Sequence, residues 1–398
     1  MTRSNEKLTQ LIDKITAAAG EHSTPLLLAG GATVAVTLLY KTCFSGSATL
    51  LQNKDSVLKR NQVKNSMDDY DDLFTGARKN VGSLHDQASI QKREKEYKTM
   101  INNFYDLVTD FYEWGWGQSF HFAPRVKGET FMESIKRAEH YLALRAGMGP
   151  NTKAVDVGCG VGGPMRNIQH FTNSDITGVT INEYQVKVGN KYCQEQGIAD
   201  KCRLIQGDFQ KLPELLPAGQ FDVAFAIEAT CHSPDRVQCF SGVNQLLKKG
   251  GLFVGYEWVV LPEKGYDPNN KDHLRIKEGI EVGNGLPTLA TAEQVQQALK
   301  DSGFEVLEAF DANANVHSPH QIPWYDTLNG KYSLSGFRMT RLGRMITHAV
   351  VSTLELLWIA PKGTVRVSAL LNATAIDLVD GGKQEIFTPS YFFLARKK

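Results

Sequence analysis

The sequence predicts an α/β chain built on a doubly wound parallel sheet, and three observations predict it. Short apolar segments alternate with helix-patterned stretches from residue 154 to residue 311. A glycine-rich turn joins the first of those segments to a helix that opens with Pro164. The chain is 398 residues long, enough for two or three domains, and its 44 basic side chains nearly match its 43 acidic ones. That balance removes the electrostatic reason to expect a nucleic-acid partner. The six cysteines show no C-x-x-C spacing, which argues against a zinc ribbon or disulfide scaffold and for buried thiols in a reducing compartment.

The elements follow in order. Residues 25–40 carry no charge, and sixteen residues of helix rise about 24 Å. A spanning helix has to cross about 30 Å of hydrocarbon. Thr42, Cys43 and Phe44, with Lys41 snorkelling, extend the segment far enough, so residues 1–44 read as a tail with one membrane anchor. A cleaved targeting peptide competes with this reading, although Glu6, Asp13 and Glu21 are atypical of one. Lys41, Lys54, Lys59 and Arg60 after the segment outweigh Arg3, Lys7 and Lys14 before it, which puts the bulk of the chain on the cytosolic side. Residues 45–96 are polar and read as linker, with Asp68, Asp69, Asp71 and Asp72 as a solvated face.

From Tyr97 to Tyr112, apolar residues recur at steps of three and four, which predicts an amphipathic helix, and a second helix is expected over 130–147. Strands are expected at 154–157, 175–180, 202–209, 221–230, 251–260 and 304–311. Helices fall between them at about 182–196 and 291–303. The segment 221–230 is almost continuously apolar, as a central parallel strand is.

The glycine turn binds a nucleotide-like cofactor. Gly158, Gly160 and Gly163 satisfy G-x-G-x-x-G, yet Asp156 stands two residues before the first glycine. A pyrophosphate would meet negative charge there. A cationic amino-acid moiety, such as the methionine part of S-adenosylmethionine, would find a partner. The pattern D-x-G-x-G-x-G at Asp156, Gly158, Gly160 and Gly162 resembles the first motif of class I methyltransferases. The resemblance implies cofactor contacts from Asp156, Gly158, Gly160, Gly162 and Gly163, and from Asp208 and Phe209 at the end of the third strand. The acidic residue usual after the second strand is missing; Thr180, Asn182 and Gln185 supply polar groups in its place, with Glu183 slightly late.

A more specific resemblance rests on several segments together. YEWGWGQSFHFAPR (112–125), AVDVGCGVGGPMRNI, GVTINEYQV, AIEATCHSPD (226–235) and GYEWV (255–259) are similar to sterol 24-C-methyltransferases. KEGIEVGNGLP (277–287), APKGT (360–364) and IFTPSYFFLARKK (386–398) extend the likeness, which covers roughly residues 97–398 and leans to the plant type. It implies a mostly parallel seven-stranded sheet, with a methyltransferase domain at 97–311 and a sterol-specific region at 312–398. Residues 384–396 would form the last strand, antiparallel to its neighbours, with Pro389 at its start or edge. It also implies methyl transfer from S-adenosylmethionine to carbon 24 of a Δ24 or 24-methylene sterol side chain, through a carbocation.

Such a cation needs a dry pocket with aromatic faces. Tyr112, Trp114, Trp116, Phe120 and Phe122 are candidates for those faces, and Glu113, Glu228 and Glu281 for offsetting the charge. His121, His232 or one of the glutamates would take the final proton. Glu228 also counts among the cofactor contacts. No His, Cys and Asp grouping has metal-ligand spacing, and the chemistry requires no metal. The expected partners are a sterol and the endoplasmic reticulum membrane, and a homo-oligomer is compatible with the sequence. The competing readings are a methyltransferase for another lipid or prenyl-type substrate and a non-catalytic membrane sterol-binding protein.

Overall fold

The structure, a computed structural model, describes residues 61–77, 79–314, 319–329 and 340–398. The apolar segment 25–40 and Cys43 lie outside the described residues, as does the side chain of Trp114. Among the described residues no helix is long and apolar enough to cross a membrane.

Seven long strands form the sheet: β1 (Lys153–Val157), β2 (Asp175–Thr180), β3 (Cys202–Gln206), β4 (Phe221–Ile227), β5 (Leu247–Val260), β6 (Phe304–Asp311) and β7 (Phe387–Lys397). They lie in the order β3-β2-β1-β4-β5-β7-β6, and a two-residue strand, Ala290–Thr291, pairs with the end of β5 as an eighth. Strands β1 to β5 are mutually parallel. β7 runs antiparallel to both β5 and β6, between them. The expected final strand is therefore an interior one. Pro389 is its third residue and sits at a register shift between Thr388 and Tyr391 against β5. A bulge near the start of the strand tolerates the missing amide there; of the two expected positions, start or edge, the strand is interior and the proline lies toward its start.

Both faces of the sheet are buried, and β7 shows the period of two that this demands. Tyr391, Phe393 and Ala395 join one core with Phe253 and Phe304, while Phe392 and Leu394 join the other with Phe225 and Tyr256.

The described helices of eight residues or more are α1 (Val63–Leu73), α2 (Gln87–Lys95), α3 (Tyr97–Gly115), α4 (Phe131–Arg145), α5 (Gly163–Thr172), α6 (Glu183–Glu195), α7 (Arg236–Leu246), α8 (Lys271–Asn284), α9 (Ala292–Asp301), α10 (Arg341–Leu356) and α11 (Thr364–Lys383). α10 and α11 lie in the insertion between β6 and β7. α11 packs on α8 with almost no gap, because Gly279 and Gly283 have no side chain. A Cβ on them would come within 2.0 Å of Asp377 Oδ2 and 1.7 Å of Thr374 Oγ1.

Residues 61–96 are not linker, and this corrects the sequence reading. Tyr70, Leu84 and Arg93 are fully buried. Tyr70 donates a hydrogen bond to the Val282 carbonyl at 2.5 Å. The amides of Gly82 and Leu84 both donate to the Glu278 carboxylate. Met67, Tyr70, Leu73, Phe74 and Leu84 bury an apolar face against Met100, Phe104 and Leu107, and a buried arginine adds hydrogen bonds. Arg93 donates to the carbonyls of Pro287 and Leu84 and to the Ser89 hydroxyl. Within the acidic cluster, Asp68 and Asp71 pair with Arg366 on α11. That pairing is exposed and adds little stability.

Candidate functional site

Two cavities meet at the carboxyl ends of β1 and β4, where open α/β sheets bind ligands. The smaller, about 70 Å³, follows the glycine turn and includes Asp156, Gly158, Gly160, Thr180, Gln185 and Asp208. The larger, about 180 Å³, is walled mainly by aromatic and aliphatic side chains from α3, the segment 116–122, α10 and α11. Tyr105, Phe120, His121, Glu228 and His232 border both.

The smaller cavity has the character of a cofactor cradle. Gly158 adopts φ +85°, and a Cβ there would lie 2.4 Å from the Ala229 Cβ, so only glycine fits this turn. Asp156 is buried, and its Oδ2 has no hydrogen-bond partner. Burial holds its carboxyl well above the usual carboxylate range; the nearby Glu139 pushes it the same way and His121 only partly opposes them. A buried carboxylate in that state is incomplete without a cation. The Gln185 amide nitrogen is also buried without a partner, while its oxygen accepts from the Thr180 hydroxyl at 2.7 Å. These residues fit the cationic methionine end and a polar sugar edge of S-adenosylmethionine. Asp208 is partly engaged already, accepting from the Gln210 amide, the Tyr97 hydroxyl and Lys98.

Some expected contacts are not brought to the cradle. Asn182 caps α6 by accepting from the Gln185 amide at 3.0 Å, and its amide group donates to Asp106 at 2.6 Å. Gly162 is the N-cap residue of α5, and Gly163 presses against the Gln118 carbonyl. All three shape the turn from behind, and none borders the cavity. Phe209 borders it.

Glu228 immediately follows β4 and has a left-handed backbone, φ 53°, rare for a residue with a side chain. Its carboxylate accepts from the Phe122 amide at 2.8 Å and from the Trp258 indole at 2.7 Å. Burial pushes its pKa up to about 8, although the nearby His121 charge and those two donors pull it down. A cation arriving in either cavity would ionise it.

The two histidines are set up oppositely. His121 has an acceptor at each ring nitrogen: the Phe122 carbonyl 2.6 Å from Nδ1 and Glu139 Oε1 3.0 Å from Nε2. The Phe122 carbonyl can only accept, so Nδ1 donates, and the Glu139 carboxylate facing Nε2 favours a second proton on the ring. Burial alone would lower its pKa, but the Glu139 hydrogen bond and charge outweigh that and raise it. With both ring nitrogens engaged by the fold, His121 turns neither of them to a substrate, and the geometry favours His232 over it as base. His232 Nδ1 donates to the Gly285 carbonyl at 3.1 Å. Its Nε2 therefore keeps a lone pair and accepts from the Tyr105 hydroxyl at 3.0 Å. Burial drives the His232 pKa down to about 4, so the ring is neutral at physiological pH.

Tyr112, Trp116, Phe120 and Phe122 all line the larger cavity. Trp116 meets Phe122 edge-on with centroids 4.9 Å apart, and Tyr112 meets Phe120 at 5.5 Å. Glu113 and Glu281 line neither cavity, a second correction to the candidate residues. Glu113 accepts from the Tyr192 hydroxyl at 2.7 Å. Glu281 is tied to Lys277 within α8 and accepts from the Leu289 amide at 2.9 Å. Sequence reasoning missed Tyr105, which looked like one more apolar position of an amphipathic helix. It also gave no role to Trp258, although the GYEWV segment contains it. Among the described residues, no three His, Cys, Asp or Glu side chains cluster as metal ligands would.

Comparison with known proteins adds to this geometry. Residues 155–255 match a methyltransferase domain family, and residues 334–398 match the sterol methyltransferase C-terminal family. The chain is 44% identical to cycloartenol-C-24-methyltransferase 1 of Oryza sativa subsp. japonica, over 89% of this chain and 98% of that one. It is 47% identical to the Arabidopsis thaliana cycloartenol-C-24-methyltransferase, over 77% of this chain and 89% of that one. With the sterol 24-C-methyltransferase of Saccharomyces cerevisiae it shares 41% identity, over 78% and 82% of the two chains. Among solved structures, a cyclopropane synthase from Mycobacterium tuberculosis superposes with a TM-score of 0.58 at 15% identity, covering 75% of this chain and 98% of that one. At that identity the likeness concerns the fold alone.

Proposed function

The chain belongs to the sterol 24-C-methyltransferase family, and we infer from its site how it moves a methyl group from S-adenosylmethionine to carbon 24 of a sterol side chain in sterol biosynthesis. The observation that carries the reading is the meeting of a polar cradle and an apolar cavity at Tyr105, Phe120, His121, Glu228 and His232. A cationic cosubstrate and a hydrocarbon chain can touch only at such a junction.

When bound, S-adenosylmethionine supplies an electrophilic methyl group on a sulfonium. Asp156 would hold its cationic amino-acid end, with Gln185 and Thr180 on the polar side of the cradle. Gly158 keeps the turn flat enough for close approach. Methylation of the alkene leaves positive charge on the sterol side chain until a proton departs. The rings of Tyr112, Trp116, Phe120 and Phe122 exclude water and turn π faces to that charge. Glu228 ionises in response to it, with its oxygens already fixed by the Phe122 amide and the Trp258 indole. Tyr105 and His232 form the exit for the proton: the hydroxyl passes its proton to Nε2 and receives the substrate's. His121 positions the segment between the cavities and keeps its charge matched by Glu139.

The N-terminal apolar segment supports a further part of the reading, that the chain is anchored by residues 1–44 in the endoplasmic reticulum membrane with the catalytic unit facing the cytosol. Its sequence and the hydrophobicity of a sterol are the support. The decisive experiment incubates purified protein with S-adenosylmethionine and paired Δ24 and 24(28) sterols, followed by mass spectrometry. A product one methylene heavier is expected from at least one of them. No product from either, with cofactor binding intact, overturns the reading.

A further inference from the structure

We infer that the outer face of α10 and the turn following it form a membrane-contact surface that seats one wall of the apolar cavity on a lipid bilayer.

α10 is amphipathic in the unusual sense. Arg344 and Thr347 line the cavity, and His348 lies 3.1 Å from the Ser368 hydroxyl. Val351 and Leu354 are buried, but other apolar residues of the helix point outward. Leu342, Met345 and Ile346 are exposed on one face, three and four residues apart. Beyond Ala349 and Thr353 the exposed apolar side chains resume at Leu356, the last residue of the helix, and continue into Leu357 and Trp358, the last 84% exposed with φ 58°. Soluble proteins scatter single exposed apolar residues, but a contiguous run of this size marks a contact surface.

The chemistry of its surroundings selects a bilayer as the occupant. Between residues 340 and 362 the only carboxylate is Glu355. It is turned back on the fold, where it accepts from the Val365 amide at 2.8 Å. Exposed Arg341 and Lys362 flank the stripe at its two ends. An apolar strip rimmed by cations, with a tryptophan on its outer surface, matches the interface of lipid tails with phosphate headgroups. The cavity supplies the second argument. α10 and α11 carry the stripe and Ile376 on their outer sides, and Arg344, Thr347, Leu371 and Asn372 on the cavity side. One helical layer therefore separates the stripe from the cavity. This inference rests on the sterol reading: a substrate dissolved in lipid would reach the cavity along hydrocarbon without crossing water.

The test uses the full chain and phosphatidylcholine vesicles containing phosphatidylserine and brominated acyl chains, which quench tryptophan on contact. The wild type is expected to show a quenched component that Trp358→Phe removes. Met345→Ser with Ile346→Ser is expected to weaken vesicle binding about tenfold, as loss of buried apolar area does at an interface. It should raise KM for vesicle-borne sterol and leave kcat on cyclodextrin-dispersed sterol unchanged. Equal quenching in wild type and Trp358→Phe overturns the proposal. So does a light-scattering shift from dimer to monomer in the double variant, which would make a second copy the occupant. Failure to methylate dispersed sterol would instead count against the sterol reading and leaves the quenching result to be judged by itself.

Discussion

The Tyr105 hydroxyl lies 3.0 Å from Nε2 of His232, and both side chains border the two cavities at once. The other ring nitrogen of His232 is committed to the Gly285 carbonyl, so the direction of this hydrogen bond is fixed. A neutral, buried imidazole behind a phenol is a proton acceptor that water cannot reach.

Tyr105→Phe should therefore lower kcat on sterol by about 10²-fold or more, the usual worth of a positioned acid or base. The dissociation constant for S-adenosylmethionine, measured by calorimetry, should stay the same. With His232 titrating near pH 4, it stays neutral down to about pH 5 and loses its lone pair only below that. An unchanged kcat would mean that another group takes the proton.

Asp156→Asn separates binding from folding. The wild-type carboxylate is buried with one oxygen unpartnered, so the neutral amide should leave the melting temperature of the cofactor-free protein unchanged or raise it. Affinity for S-adenosylmethionine should nevertheless fall about tenfold or more, as loss of a charged hydrogen-bond partner does. Equal affinity in calorimetry would show that the cradle does not use this carboxylate.

The Glu228 pKa gives stability a pH slope. The folded protein keeps this proton up to about 8, whereas the ordinary value is 4.5. Between those values the unfolded chain binds fewer protons than the folded one, so the contribution of this group falls as pH rises. Glu228→Gln lacks the slope. Urea unfolding at pH 5 and pH 8.5, which together span most of the window, should show the wild type losing ground to the variant at the higher pH. A constant difference would mean that the carboxyl titrates normally.

Arg93→Met should destabilise the protein by about 3 kcal/mol or more, because it orphans buried acceptors that water cannot satisfy. Those acceptors are the carbonyls of Pro287 and Leu84. Since Pro287 is two residues from the Gly285 carbonyl that fixes His232, catalysis should fall as well. Denaturation and sterol turnover on the same preparation check both effects.

Much of the sheet was legible because its signals are local: apolar segments at regular intervals and a glycine turn with Asp156 before it. Direction was not. Tyr112 and Glu113 are neighbours in a motif, yet successive residues on a helix point about 100° apart. Tyr112 faces the cavity, and Glu113 faces Tyr192. Glu281 and Glu228 look alike in sequence, and only the packing of α8 shows that Glu281 is consumed by Lys277 and the Leu289 amide. The docking of residues 61–96 was hidden for a related reason. Arg93 reads as a surface residue until its partners, Leu84 and Ser89 close by in the chain and Pro287 far along it, are seen to surround it.

The position of β7 bears on how the protein is made. Its neighbours β5 and β6 have no direct pairing, and the strand that joins them follows both in the sequence, beyond the insertion that carries α10 and α11. Parallel pairing among β1 to β5 can begin during translation, but β6 has no partner in the sheet until β7 has been made. Until then the edge of β5 stays open and able to pair with another nascent chain. Closure of the core therefore waits on the insertion that carries α10 and α11, and a chain halted within that insertion is the form most prone to aggregate.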